Sequence, residues 1–400
     1  MSQLDSAINI ANAISSKDFN VRARQCVRVC NRNASCSACI DVCPAHCISC
    51  TNNELEVNWD ECVGCGACIA ACPVEVFSFT CQNDTQLVED ALVSAKASNG
   101  AVTIVCQAMY SRAKELVDTS KILVVPCLGR IDETMLVRIA GCGIDSIALV
   151  HFDCESCFNK TSGCRAEIVA NNAKELLKAW GNPCKVQFRG KLPTAVRRNA
   201  QEEFDEDKRA FFKNIKEESK QVASIVATTA ITDAISNGED VKEEPYHVLE
   251  DGTLPKANTV RRAQLLTALD AMLDNGEQVQ EGILHSGIFY RVSIDRDTCK
   301  SCRMCANFCP VGALRKFQTS DSKLGVIHTP AICVGCKCCQ DICPSKSLKL
   351  FAVAKTNDVI ERKTYAYYMN KPPVEFNRPD TMFNTVRNLI DSDQISDLQR

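Results

Sequence analysis

The chain has 400 residues, 28 of them cysteine, with 46% apolar and 24% charged side chains and a formal net charge of −3. That many thiols in a chain of this length exclude a small secreted disulfide scaffold, and the charge balance excludes a general nucleic-acid binder, which needs a basic face. Residues 1–20 hold Asp5 and scattered Asn and Ser but no apolar core of signal-peptide length, and no run approaches a spanning helix. The expectation is a soluble cytoplasmic protein whose thiols bind metal.

Residues 21–85 form the first cysteine block. It contains Cys62-x2-Cys65-x2-Cys68-x3-Cys72-Pro73, preceded by Cys36-x2-Cys39-x3-Cys43-Pro44. The earlier run lacks its first cysteine, because Asn33 stands there. Cys30 is the nearest substitute, Cys26 lies one helical turn further back, and Cys47 and Cys50 are available downstream. A three-iron cluster is the alternative if no substitute reaches. Gly64 and Gly66 allow a tight loop whose backbone N–H groups can face sulfur. Arg22, Arg24, Arg28 and Arg32 flank the first loop, where they either balance cluster charge or mark a docking face. Cys81 follows the closing strand and reads as structural.

Residues 98–190 alternate β-rich runs (Ala101–Cys106, Lys121–Cys127, Ile144–Asp153, Lys185–Arg189) with helical segments near Ser111–Val117, Glu133–Ala140 and Cys164–Trp180. That order predicts a small parallel α/β sheet with helices on its faces. Sites in such sheets form at the carboxyl ends of the strands. Cys106, Cys127, Cys154, Cys157 and Cys164 fall on that rim, whereas Cys142 and Cys184 precede strands and belong to the opposite edge. Two readings stand for the rim: a metal site, or free buried thiols.

Residues 191–285 contain no cysteine and read as a helical connector, with helices near Ala200–Ser219 and Val260–Leu273 around an acidic stretch, Gly238–Thr253. Residues 286–352 form the second cysteine block, with Cys299-x2-Cys302-x2-Cys305-x3-Cys309-Pro310 and Cys333-x2-Cys336-x2-Cys339-x3-Cys343-Pro344. Cys338 is surplus to the spacing. The tail, 353–400, opens with an aromatic, proline-containing segment that either wraps its own domain or meets a partner.

The two cysteine blocks resemble bacterial-type two-[4Fe–4S] ferredoxins. In that family three closely spaced cysteines hold one cluster and the cysteine before proline completes its neighbour. The resemblance therefore implies four [4Fe–4S] clusters. Their ligands would be Cys299, Cys302, Cys305 and Cys343; Cys333, Cys336, Cys339 and Cys309; Cys62, Cys65, Cys68 and Cys43; and Cys30, Cys36, Cys39 and Cys72. Four such clusters would carry the charge to roughly −11, so a partner would present a basic patch.

The middle segment, with Pro126-Cys127-Leu128-Gly129-Arg130, Asp153-Cys154, Cys157 and Ser162-Gly163, resembles the iron–sulfur delta subunit of methyl-viologen-reducing hydrogenases. It departs from that family at Met109, where a cysteine is expected, and in its tighter Cys154-x2-Cys157 loop. The likeness implies a [2Fe–2S] cluster on Cys106, Cys127, Cys154 and Cys157, with Cys164 in reserve.

The fold class expected is α+β: two ferredoxin-like domains around a parallel-sheet domain and a helical connector. No nucleotide or flavin motif is present, and the five histidines have no ligand spacing; His151, beside the third strand, is the one to watch. The chain reads as a non-catalytic electron-transfer subunit. The resemblance implies redox protein partners such as a formate dehydrogenase or hydrogenase. The alternative is an accessory protein for assembly or redox sensing of a metallo-oxidoreductase.

Overall fold

The computed structural model describes residues 19–80, 82–198, 249, 253–285, 287–321 and 323–369. The helix expected at Ala200–Ser219, Cys81, and the acidic stretch apart from Leu249 and Thr253 lie outside the described residues.

Both cysteine blocks adopt the same plan. In the first, strand Phe19–Val21 pairs antiparallel with Phe77–Phe79, closing the unit end to end, while Ile48–Thr51 and Glu54–Val57 form a hairpin. In the second, Arg291–Ile294 pairs with Leu348–Phe351, and Leu314–Gln318 with Leu324–His328. The closing strands turn one face inward. Phe19 stacks on Phe79 at 4.5 Å and on Trp59 at 5.2 Å, and Val292, Ile294 and Leu348 are buried in the second unit. Tyr365–Tyr368 adds a third strand to the second hairpin, so this part of the tail wraps its own unit.

The three complete cysteine loops share one backbone device. The residues on either side of the second cysteine are left-handed: Gly64 and Gly66, Ser301 and Arg303, Gly335 and Lys337, with φ between 56° and 73°. Two such reversals curl the chain so that three thiols face inward. The run around Cys36 lacks this curl, since Ser37 sits at φ −129°.

Between the units, strands Leu123–Val125, Ala101–Cys106, Ser146–Val150 and Lys185–Arg189 form a four-stranded sheet in that spatial order, all parallel. Its two faces carry separate cores: Val102 and Ile104 pack against helices Asp84–Ala97, Glu133–Gly141 and Lys160–Ala179, while Val105 meets Tyr110 and Ala113. The first helix after the central strand is Gln107–Ala113, earlier than Ser111–Val117, because Val117 is held in a bridge with Arg197. The third strand stops at Val150, and Asp153 then accepts from the Glu155 and Ser156 backbone N–H groups in a turn.

The connector helix Arg261–Asp274 buries Leu265, Ala268, Leu269 and Met272 in the core shared with Glu133–Gly141. The two ferredoxin-like units also touch directly: Met304, Phe308, Cys338 and Ile342 join the core of Val27, Val29, Ile69 and Val74.

Candidate metal centre

Each complete loop aims its thiols at a common space. Cys302 and Cys305 lie close enough to feel the charge of Cys299 and Cys343. Cys339 and Cys336 stand in the same relation to Cys333 and Cys309. Cys343 thus lies beside the earlier loop's thiols, and Cys309 lies beside those of the later loop as well as beside Cys305 of its own. Backbone N–H groups turn to these sulfurs: Leu314 donates to Cys309 at 3.4 Å and Val76 to Cys72 at 3.3 Å. Burial pushes Cys333 up to about 12. For Cys343 burial pushes upward, but the Ser347 and Ser345 hydroxyls, together with the Ser347 and Leu348 backbone N–H groups, hold the thiol below its usual range.

In the N-terminal unit, Cys43, Cys62, Cys65 and Cys68 line one narrow cavity with Phe19, Trp59 and Phe77. Cys47 lines it too, 3.4 Å from Cys43. The neighbouring cavity is lined by Cys26, Cys36, Cys39, Cys72 and Cys50. Cys30 is not among them: its thiol bonds to the Arg24 carbonyl at 3.2 Å, and it lies toward Cys338. The short helix Val27–Cys30 carries Cys30 to the far side, and Cys26, just before the helix, faces Cys36, Cys39 and Cys72. A hydrogen bond from Cys50, with help from backbone N–H groups and Arg28, brings Cys26 down to about 6. Arg28 itself turns inward and donates to the Cys50 carbonyl at 2.7 Å.

On the rim of the sheet, Cys154 lies near Cys127, Cys106, Cys164 and Cys157, and burial with these neighbours pushes it up to about 12. Cys127 is 5% exposed and accepts from the buried Ser162 hydroxyl at 3.2 Å. Cys164 is drawn toward Glu155. Cys142 and Cys184 sit at the opposite edge, before their strands. His151 stacks on Phe188 at 4.4 Å.

Among the described residues no three His, Cys, Asp or Glu side chains converge on a single-ion position. In the N-terminal unit the thiols surround small cavities instead, as a cluster with ligands at separate corners requires. All-thiol donors and inward N–H groups fit iron–sulfur clusters in both units, and the N-terminal cavities are apolar apart from their thiols and Arg28. Cys26 and the role of Ser162 were least visible in sequence: Cys26 stands outside any motif spacing, and Ser162, noted only as part of the Ser162-Gly163 pair, carried no sign of its contact with Cys127.

A family model described as a 4Fe-4S binding domain matches residues 55–78, and one described as a 4Fe-4S dicluster domain matches residues 292–347. No curated protein and no solved structure matches the chain. The chain therefore carries two 4Fe-4S segments. The first match begins beyond Cys50, so it leaves out the irregular loop. No helix among the described residues is long and apolar enough to cross a membrane.

Proposed function

We propose that this chain is a one-electron relay whose thiol cages stand in a single row. When bound, an iron–sulfur cluster with four thiolate ligands supplies reversible one-electron transfer and no open coordination site. The observation that carries the reading is the order of neighbours. The Cys299–Cys302–Cys305–Cys343 cage adjoins the Cys309–Cys333–Cys336–Cys339 cage, through Cys305 beside Cys339. Cys336 in turn faces Cys36. Cys39 of that third cage faces Cys68 of the fourth, and Cys65 of the fourth faces Cys127 on the rim.

The full reading is four [4Fe–4S] centres and a [2Fe–2S] centre on Cys106, Cys127, Cys154 and Cys157, with the irregular cage closed by Cys26. The middle segment's likeness to a hydrogenase delta subunit supports the fifth station, and supports a hydrogenase or formate dehydrogenase as partner. A second reading, an accessory protein for assembly or redox sensing, is favoured by one feature: Cys47 and Cys50 add a fifth thiol to each N-terminal cage.

Anaerobic reconstitution of the full chain tests both readings. The relay should hold about 16 irons, or about 18 with the rim occupied, and keep them through repeated reduction and oxidation. Fewer than about 12 overturns the relay; progressive iron loss on cycling favours the accessory reading.

A further inference from the structure

Where the N-terminal unit meets the sheet domain, two cysteine loops are pressed together. Cys65, Ala67 and Cys127 share one buried cluster. Gly66 is left-handed at φ 73°, and a Cβ there would lie 2.5 Å from the Arg130 side chain. On the other side, a Cβ on Gly129 would lie 2.2 Å from the Ser162 hydroxyl and 2.4 Å from the Ser162 carbonyl oxygen. Close approach is thus built into both loops. It is fastened by Arg165, which donates to the Ala70 carbonyl at 3.1 Å, and by the ion pair of Arg130 with Asp84.

One side chain stands in the seam. Ser162 is fully buried. Its hydroxyl donates to the Cys127 sulfur at 3.2 Å, and Cys65, buried in one cluster with Cys127, lies close enough for the same hydroxyl to lower its thiol against burial. A hydroxyl has one hydrogen and rotates freely, so it can serve either sulfur but only one at a time.

We propose that Ser162 is the positioning residue of an electron junction between the Cys43–Cys62–Cys65–Cys68 cage and the rim cage of Cys106, Cys127, Cys154 and Cys157. This rests on the relay reading, because it needs a centre on each side. The chemistry is a hydrogen bond that follows charge. Reduction adds negative charge to a centre and makes its ligand sulfurs better acceptors, and hydrogen bonds to sulfur raise reduction potential. By turning to whichever sulfur carries more charge, the Ser162 hydroxyl stabilises the reduced state on either side and raises both potentials. The short path between the buried Cys65 and Cys127 passes the same hydroxyl.

The test is an EPR-monitored redox titration of the anaerobically loaded full chain, with iron content measured throughout. Ser162→Ala deletes the hydroxyl and little else. Both junction centres should titrate at lower potential, while the centre on Cys299, Cys302, Cys305 and Cys343, at the far end of the row, keeps its value. Weaker magnetic interaction between the two shifted signals should accompany this. The double variant Cys127→Ser with Cys154→Ser should lower iron by about two, leaving the other centres in place. If it lowers iron by none, the rim holds no centre and the fifth station of the relay reading falls. If the rim iron is lost as expected but Ser162→Ala shifts neither junction potential, or only one, the junction role of Ser162 is overturned while the relay stands.

Discussion

Ser35 and Asp341 are bound to each other across 306 residues of chain: the Ser35 backbone N–H and hydroxyl donate to one carboxylate oxygen, at 2.7 and 2.9 Å. Ser35 precedes Cys36 and Asp341 lies two residues from Cys343, so this contact clasps the two ferredoxin-like units where Cys36 faces Cys336. Asp341→Ala should lower the unfolding free energy by about 1 kcal/mol, as for a partly exposed charged hydrogen bond. It should also speed amide exchange at Ser35 while leaving the core strands unchanged. Unaltered exchange at Ser35 would mean that the clasp does not hold in solution.

The irregular cage gives a direct comparison of two cysteines four residues apart. With Cys26 facing Cys36, Cys39 and Cys72, and Cys30 bonded to the Arg24 carbonyl, Cys26→Ser should cost one centre, about four irons or a cubane degraded to three. Cys30→Ser should keep full iron content. Equal loss in both variants, or loss in Cys30→Ser alone, would return Cys30 to the ligand set.

The complete loops were legible in sequence because a cysteine spacing specifies both which thiols meet and how the loop must curl. The four strands of the sheet were legible because short β-rich runs alternate with helical segments along the chain. The fourth cage was not, and the reason is physical. With Asn33 in the first cysteine position, the loop has no left-handed pair around Cys36, and the missing thiol comes from a different path through space. Which of Cys26 and Cys30 faces inward depends on which end of a single helical turn meets the cage. Spacing cannot encode that. The role of Ser162 was hidden for another reason: the sulfurs beside it lie 97 and 35 residues away and belong to different units.

Ligand exchange between loops is tested at Cys309. It lies with Cys333, Cys336 and Cys339, although it follows Cys305 in sequence. Cys309→Ala should remove or convert the centre of the later loop and spare the one held by Cys299, Cys302, Cys305 and Cys343. The reverse pattern in the EPR spectra would show each loop closing its own centre.

Cys184 offers a pH test away from any cage. Burial, with Asp145 and Glu277 nearby, raises this thiol from its ordinary 9.0 to about 12. Its proton is held more tightly in the fold than in the unfolded chain. The stability it contributes is whole below pH 9.0 and is lost between there and about 12. By pH 10 the loss should reach about 1 kcal/mol, since each pH step beyond the unfolded value costs roughly 1.4 kcal/mol. Cys184→Ala should flatten this part of the alkaline limb in denaturant titrations from pH 8 to pH 10. An unchanged limb would mean that the thiol is hydrated in the fold.

Arg261 ties the connector helix to the N-terminal unit and to the sheet domain, and its removal makes the strongest prediction for stability. Its guanidinium donates to the Ala70 carbonyl at 2.9 Å, to the Cys72 carbonyl, and to Asp132 at 3.2 Å, with Glu75 at 3.7 Å. Glu75 in turn accepts from the Val260 and Arg261 backbone N–H groups at 2.9 and 3.0 Å. Burial raises both Glu75 and Asp132, and the Arg261 charge opposes that in each. Arg261→Met would leave Glu75 and Asp132 buried beside Asp84 without the cation that offsets them, a change that costs about 3–5 kcal/mol. Arg261→Lys should fall between, because one ammonium cannot reach acceptors on all sides of a planar fork. The sign with pH separates a charge effect from lost packing. In Arg261→Met the carboxylates are neutralised more readily, so the variant should recover part of its loss as pH falls from 7 to 5, where the wild-type chain gains less. A deficit that stays constant over that range would mean that Arg261 acts through its aliphatic contacts and not through its charge.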